Sequence, residues 1–303
     1  MKTIAVDFGA TMLRFAVVEK FRIVRRVVCT TPKTLAELRR VFRNSFNTLY
    51  SMGVSRNAPV GIASIGPFEH EGVVKATNIG GLRINLRKIV EEVHGGRITI
   101  LNDCTAAALA EKTIGPWRDL KNLVYVTIST GIGGGAVVDG HLLIGKDGNA
   151  AEIGHMVVDY QSSVECSCGG VGHWEAFCSG VGLPKLARQV VGKATWVDSR
   201  QVFEAARRGD RRALTVLSKM ADFNAVGFSN VMNVYDPEIV IVGGSVALNH
   251  PVETVEKPKR LLDKYSMLRS KLVLTSLGHD GPLHGAAVAA QTGTRRLIYF
   301  QEA

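Results

Sequence analysis

The chain has 303 residues, 46% hydrophobic and 21% charged, a balance that excludes a disordered polypeptide and suggests about two globular domains. Its apolar runs are broken well short of the ~20 residues a membrane span needs, and Asp7 arrives before a signal-like core can build, so neither a membrane partner nor a secretory leader is expected and the cytoplasm is. Lys and Arg outnumber Asp and Glu by 37 to 27, but the basic pairs are scattered, which favours a solvated surface that attracts an anionic nucleotide over a nucleic-acid-binding stripe.

Residues 3–8 are β-branched and apolar, Gly9-Ala10-Thr11 interrupts them, and residues 13–18 return, too soon for a crossover helix. This predicts a β-hairpin. Thr34 and Glu37 have capping-box spacing, and Leu35, Leu38, Phe42, Phe46 and Leu49 share one face of a helix. Residues 59–65 read as a buried strand ending at Gly66-Pro67 and 86–93 as a helix stopped by Gly95-Gly96. Residues 97–101 read as a strand delivering Asn102-Asp103, and 105–112 as an Ala-rich helix. The opening pattern then recurs: a strand at 123–128, a Gly/Thr turn at 129–135 and a returning strand at 136–138, with Asp139-Gly140 pairing 141–144 back. Helices follow at 184–191, 200–208 and 210–233. Asp236-Pro237 breaks the last of them before a strand at 239–242 that ends at Gly243-Gly244, and a small-residue helix starts at Gly285. Two strand–turn–strand units in two halves suggest an internally duplicated two-domain enzyme with its ligand in the cleft between domains, hinged near residues 103–105.

The glycine spacing after Thr130 superficially matches a dinucleotide fingerprint, but that motif needs a following helix, and a strand follows instead. No Gly-Lys-Ser/Thr P-loop is present. What remains is a turn whose amides and Ser129/Thr130 hydroxyls can cradle phosphate oxygens, paired with Asp7-x-Gly9-x-Thr11. Asp7, at a strand end, could hold Mg²⁺ through water or simply stabilise its own turn. Asp103 could cap the helix that follows, or accept the proton of an attacking sugar hydroxyl while Asn102 orients the ring. A helix N-terminus favours its ionised form. Glu152, His155 and Glu175 suit sugar hydroxyls by their hydrogen-bonding capacity.

Five cysteines with a Cys166-x-Cys168 spacing do not read as a secreted disulfide framework. Cys166, Cys168 and His173 on a glycine turn could give three zinc ligands, with His155 as the fourth and Cys178 as a possible substitute. Zinc on one nitrogen of His155 would aim the other at the substrate.

In this order the motifs resemble those of the ROK family (repressor, open reading frame, kinase), and within it the ATP-dependent glucokinases and broad-specificity hexokinases. The resemblance runs over essentially the whole chain: Asp7-x-Gly9-x-Thr11, Asn102-Asp103, Thr130 to Gly135, Gly148 to His155, Cys166-x-Cys168-Gly169-x-x-Gly172-His173-x-Glu175, Pro237-Glu238 leading to Gly243-Gly244, and Gly285-Ala286-Ala287. It implies an α/β, two-domain actin-like ATPase (ribonuclease H-like) fold with hexose and Mg·ATP in an interdomain active-site cleft. The small domain is expected over residues 1–104, with a C-terminal helix at about 287–303 packing back on it, and the large domain with its zinc loop over 105–286.

The resemblance also assigns roles. Asp103 is the general base, and Gly66, Asn78, Asn102, Glu152, His155 and Glu175 contact the sugar. Asp7, Gly9, Thr11, Thr130, Gly131 and Gly133 face the phosphates and Mg²⁺, while Gly243 and Gly244 lie near the adenosine. Zn²⁺ is held by His155, Cys166, Cys168 and His173, the last standing where the family usually has a third cysteine. The expected reaction is transfer of the ATP γ-phosphoryl group to a hexose, glucose first and mannose, fructose or an N-acetylhexosamine as alternatives, in a homodimer. A sugar-responsive repressor of the same family would carry an N-terminal helix-turn-helix, which the phosphate motif at residue 7 leaves no room for, and a silent sugar-binding protein would have lost the base.

Overall fold

The structure is a computed structural model that describes residues 2–70, 72–76, 81–192 and 196–292. The chain divides into two compact units: Met1–Lys121, Gly135–Ala150 and Asp280–Ala303 form the first, Asn122–Gly134 and Ala151–His279 the second.

The first unit is built on a five-stranded sheet of β1 (Lys2–Phe8), β2 (Met12–Glu19), β3 (Arg22–Thr30), β4 (Val60–Ser64) and β8 (Ile98–Asn102), in the order β3-β2-β1-β4-β8. β1, β2 and β3 pair antiparallel, and β1, β4 and β8 pair parallel. The other five-stranded sheet repeats this order with β9 (Leu123–Ile128), β10 (Ile132–Val138), β11 (His141–Leu142), β12 (Ile239–Gly243) and β13 (Lys271–Leu274), as β11-β10-β9-β12-β13. A hairpin meander followed by two parallel strands is the ribonuclease H-like order of the actin-like ATPases, so the duplication suggested by two Gly/Thr hairpins is present as two copies of one sheet.

The core of the first unit is aromatic. Helix α1 (Leu35–Ser51) starts at Thr34, whose hydroxyl accepts from the Glu37 amide at 3.3 Å, and it buries Leu38, Phe42, Phe46 and Leu49. Phe15 of β2 meets Phe42 edge-on, ring centroids 5.2 Å apart. Each such side chain contributes roughly 1.5–3 kcal/mol by leaving water. Helix α3 (Asp103–Ile114) and helix α10 (Gly281–Thr292) pack by small residues: a Cβ on Gly285 would collide with the Ala106 carbonyl, and one on Gly61 of β4 with the Ala286 carbonyl. A third, antiparallel sheet joins β5 (Phe68–His70), β6 (Val73–Ala76) and β7 (Leu82–Asn85), followed by α2 (Leu86–Glu91).

The second unit adds α4 (Trp174–Cys178), α5 (Leu183–Val191), α6 (Ser199–Arg207), α7 (Arg211–Tyr235), α8 (Ser245–Asn249) and α9 (Lys257–Leu261). Asp210 caps the 25-residue α7 by accepting from Arg212 and Ala213 amides, and Asp236, in the left-handed region ahead of Pro237, ends it.

Several expectations differ from these elements. The division after residue 104 is not the one observed: α3 begins at Asp103 and lies in the first unit, because its alanine face is covered by α10. Residues 135–150 also belong there, the chain changing units inside β10. The expected C-terminal helix starts six residues earlier, at Gly281, and its part beyond residue 292 lies outside the described residues. Strand β11 is two residues rather than four. Strand β3 and the sheet over 68–85 were not expected, since the edge strand's arginines hide its alternation.

Candidate functional site

In the first unit the two carboxylates stand at the ends of parallel strands. Asp7 is the next-to-last residue of β1, opposite Arg14 on β2 and beside Ala63 on β4. It is buried, and Arg14 Nη1 lies 3.4 Å from its Oδ2. Burial pushes the Asp7 carboxyl up to about 7, with Arg14 pulling it down and the charges of Asp103 and Asp280 pushing it further up. The alternative reading of Asp7 as a brace for its own turn is therefore replaced by an ion pair across the hairpin. Gly9 donates its amide to the Met12 carbonyl at 3.1 Å, and a Cβ there would crowd that same oxygen, so the tight bend needs glycine. Thr11 passes its carbonyl to the Thr31 amide at 2.9 Å, and the Thr31 hydroxyl closes on the Gly9 carbonyl at 2.7 Å.

The cap of α3 is Asn102, not Asp103. Asn102 Oδ1 accepts from the amides of Cys104 (2.9 Å) and Thr105 (3.3 Å), while Asp103 is the first helical residue and its Oδ1 accepts from Cys104 at 2.8 Å. A short side chain ending a strand reaches the second and third amides of the helix, which fixes the strand-to-helix corner on which Asp103 sits. Gly66 follows β4 and joins Pro67 by a cis peptide. Asn149 holds the next residue by both ends of its amide, to Phe68 N and O at 2.7 Å each. Asn78 lies outside the described residues.

In the second unit the turn between β9 and β10 is closed by Ser129 N donating to Gly131 O at 2.8 Å, and Gly180 and Val181 amides bond the carbonyls of Ser129 and Thr130. Gly131 has no room for a Cβ, which would strike the Glu175 carboxylate, and Gly133 follows on β10. Glu175 is the centre of this region. Its Oε2 accepts from the Ile132 amide at 2.9 Å, and its Oε1 accepts from the Ser167 hydroxyl (2.7 Å) and the Cys166 thiol (3.4 Å). The short helix α4 holds it because the neighbouring Trp174 is fully buried against α7. There its Nε1 donates to Asn224 Oδ1 at 2.8 Å, its ring meets Phe228, and Gly227 leaves space for the indole.

Glu152 and His155 flank a short 3₁₀ turn, with His155 Nδ1 3.2 Å from Glu152 Oε2 and His155 Nε2 4.0 Å from Glu175 Oε1. Donor atoms of His155, Cys166, Cys168 and His173 all lie within 4.8 Å of one another, and Cys168 Sγ is 3.2 Å from His173 Nδ1. Hydrogen bonds with the Cys166 sulfur and then with Glu152 push His155 up to about 11 against the effect of burial. Burial alone would push Cys166 up, but hydrogen bonds from His155 and Cys168 bring it below the usual thiol range. An imidazole beside a thiol that readily ionises, with a second thiol and imidazole adjacent, is a donor set that fits a thiophilic divalent metal. Cys178 is not part of it: it is buried in α4 and its thiol donates to the Met220 carbonyl. Gly243 ends β12 and Gly244 precedes α8 as its N-cap residue at a φ of 91°, where a Cβ would also meet the Ile128 carbonyl.

The structure thus gathers Asp7, Gly9, Thr11, Asn102 and Asp103 in the first unit, and Thr130, Gly131, Glu152, His155, Glu175 and the cysteine loop in the second. Arg14 and Ser167 were not anticipated. Arg14 was accessible in principle, since hairpin pairs around Gly9–Thr11 place it opposite Asp7, whereas Ser167 carries no sequence signal beyond its place between two cysteines.

A family model described as the ROK family matches residues 3–292. The glucokinase of Pyrobaculum calidifontis is 36% identical over 304 residues, covering 99% of this chain and 98% of that protein. An N-acetylmannosamine kinase of Salmonella newport is 34% identical over 302 residues, covering 97% and 100%. Among solved structures, a ROK family glucokinase from Streptomyces griseus in complex with glucose and AMPPNP superposes with a TM-score of 0.81 at 26% identity, over 97% of this chain and 100% of that one.

Proposed function

Since this chain belongs to the ROK family and is an ATP-dependent sugar kinase, we propose that it transfers the γ-phosphoryl group of ATP to the primary hydroxyl of glucose, with Asp103 as general base. The observation that carries this reading is the place of Asp103, the first residue of a capped helix at the carboxyl end of a parallel strand, close enough to Asp7 for each charge to act on the other. Ligands of open α/β sheets bind at such strand ends.

In the mechanism, Asp103 accepts the hydroxyl proton as the sugar oxygen attacks in line. Asn102, Glu152, His155 and Glu175 take sugar hydroxyls, with Gly66 and Asn78 on the sugar side. The amides and hydroxyls of Gly9, Thr11, Thr130, Gly131 and Gly133 receive the phosphates, and Gly243-Gly244 lies under the adenosine. Asp7 would hold Mg²⁺, which when bound neutralises the charge of the phosphate oxygens. Little covalent work is left to the protein, so rate comes from positioning and charge.

His155, Cys166, Cys168 and His173, whose donor atoms lie within 4.8 Å of one another, would hold one structural Zn²⁺. The metal would order the loop that carries Ser167 and fix the tautomer of His155. The five cysteines are free, as suits a reducing cytoplasm, and among the described residues no helix is long and apolar enough to cross a membrane. A homodimer is proposed on the family resemblance; sedimentation at twice the 32.7 kDa chain mass tests it.

The likeness to an N-acetylmannosamine kinase favours a second substrate. A coupled assay of ADP release over glucose, mannose, fructose and N-acetylmannosamine decides: kcat/KM is expected to be highest for glucose, and a higher value for N-acetylmannosamine refutes that choice.

A further inference from the structure

Three glycines punctuate the cysteine loop between Cys168 and His173. Gly169 and Gly172 lie in the left-handed region, at φ of 91° and 70°, and a Cβ on Gly172 would also strike the Asp159 carbonyl. The path of the backbone therefore accounts for both. Gly170 lies outside that region and needs another reason. The three heavy atoms nearest to a Cβ placed there all belong to one side chain, the His173 imidazole. That Cβ would strike its Cε1 and Nε2 and stand 3.1 Å from its Nδ1. The space a side chain at 170 would fill is taken by the ring.

The backbone of the loop is fixed on both sides of Gly170. The Cys166 amide donates to the Gly170 carbonyl at 2.7 Å, the Gly172 amide to the Val164 carbonyl at 3.1 Å, and the Val158 amide to the Gly172 carbonyl at 2.9 Å. Lys185 of α5 adds a bond from Nζ to the Glu165 carbonyl at 2.7 Å, and His173 pairs with Val157 in an antiparallel bridge. The imidazole is the part that can turn. A Cβ at 170 would displace it, and with it the Nδ1 that lies 3.2 Å from Cys168 Sγ.

We propose that Gly170 is a positioning residue for the metal loop: it makes the room in which His173, a donor larger than a thiol, brings Nδ1 to Cys168, so that Gly170 and His173 together set a ligand group of two sulfurs and two nitrogens. This rests on the reading of His155, Cys166, Cys168 and His173 as a metal site. Nε2 of His173 lies against Gly170, which leaves Nδ1 as the donor. A residue that acts only through the ring has a consequence that a backbone role lacks. Once His173→Cys removes the ring, the clash goes with it, and Gly170→Ala becomes harmless.

The test is competition for Co²⁺ between nitrilotriacetate and the full chain, read from the thiolate-to-cobalt absorption, for wild type, Gly170→Ala, His173→Cys and the double variant. Gly170→Ala is expected to weaken Co²⁺ binding by about 10–100-fold where His173 is present. In the His173→Cys background the same substitution should change it by less than about threefold. A loss of equal size in both backgrounds places the effect in the backbone and overturns the inference, as does binding by Gly170→Ala within about threefold of wild type. If Gly170→Ala does not fold, the double variant decides alone: an affinity matching that of His173→Cys supports the pairing, and a further loss overturns it. Wild type that takes up well under one cobalt per chain, without thiolate-to-cobalt absorption, instead defeats the reading of the metal site on which the inference stands.

Discussion

Replacing Glu175 by alanine removes a side chain that joins the glycine turn to the cysteine loop. The largest loss is at Ile132, a buried residue whose amide donates to Glu175 Oε2 at 2.9 Å. A hydrogen bond to a charged acceptor contributes about 1.5–3 kcal/mol, and the one buried methylene that alanine lacks about 0.8 kcal/mol. Ser167 is exposed and regains water, so its bond adds little to the cost. Some of the loss is returned because the carboxylate no longer has to be buried. The net local cost is on the order of 2–4 kcal/mol. Amide hydrogen exchange read at Ile132 is the suitable assay, because a chain of two compact units need not unfold in one step. Protection there should fall by about thirtyfold or more, since each 1.4 kcal/mol is a factor of about ten, with KM for ATP rising in parallel. Glu175→Gln keeps an acceptor for the amide and should lie between. Gly131→Ala, whose Cβ would push the carboxylate aside, should mimic the alanine variant. Protection at Ile132 within about threefold of wild type in Glu175→Ala would refute the reasoning.

Asp103→Asn should retain calorimetric glucose binding while turnover falls by roughly 10²–10⁴, and near-wild-type kcat would remove Asp103 from the role of base. Metal analysis of the purified protein should give close to one zinc per chain, with Cys166→Ser lowering it; well under one in the wild type rejects the His155–Cys166–Cys168–His173 site. Because the folded Asp7 carboxyl is raised to about 7, its ionisation costs folding stability as pH rises from about 4 through 7, up to a ceiling of about 4 kcal/mol. Asp7→Asn should accordingly raise Tm relative to wild type at about pH 8 and lose that advantage at about pH 4; equal differences at both values contradict it. Gly285→Ala should destabilise the first unit by about 1–3 kcal/mol in chemical denaturation, because the new Cβ meets the backbone of α3, and an unchanged midpoint would show that the α3–α10 packing can yield.

Much of this protein was legible residue by residue. Both Gly/Thr hairpins follow from β-branched runs separated by too few residues for a crossover, and the start of α1 follows from Thr34 and Glu37. The Cys166-x-Cys168 turn with His173 marks a group of thiol and imidazole donors compatible with a metal, since softness and spacing are local properties. Other features had no local sign. Strand β3 exists because β2 offers it an edge, although Arg22, Arg25 and Arg26 interrupt its apolar pattern. The cap of α3 passed from Asp103 to Asn102 because the end of β8 places the asparagine, not the aspartate, within reach of the free amides.

The sequence by itself determined what neighbours along the chain can settle: turn chemistry, strand and helix periodicity, and which residue types are on hand for phosphate, sugar and metal chemistry. The tertiary structure decided the pairings across long stretches, Glu175 with the Ile132 amide and Arg14 with Asp280. A buried amide or carboxylate must find a partner, but which partner is set by the packing of Trp174 on α7 and of α10 on its sheet, and no spacing in the chain records that choice.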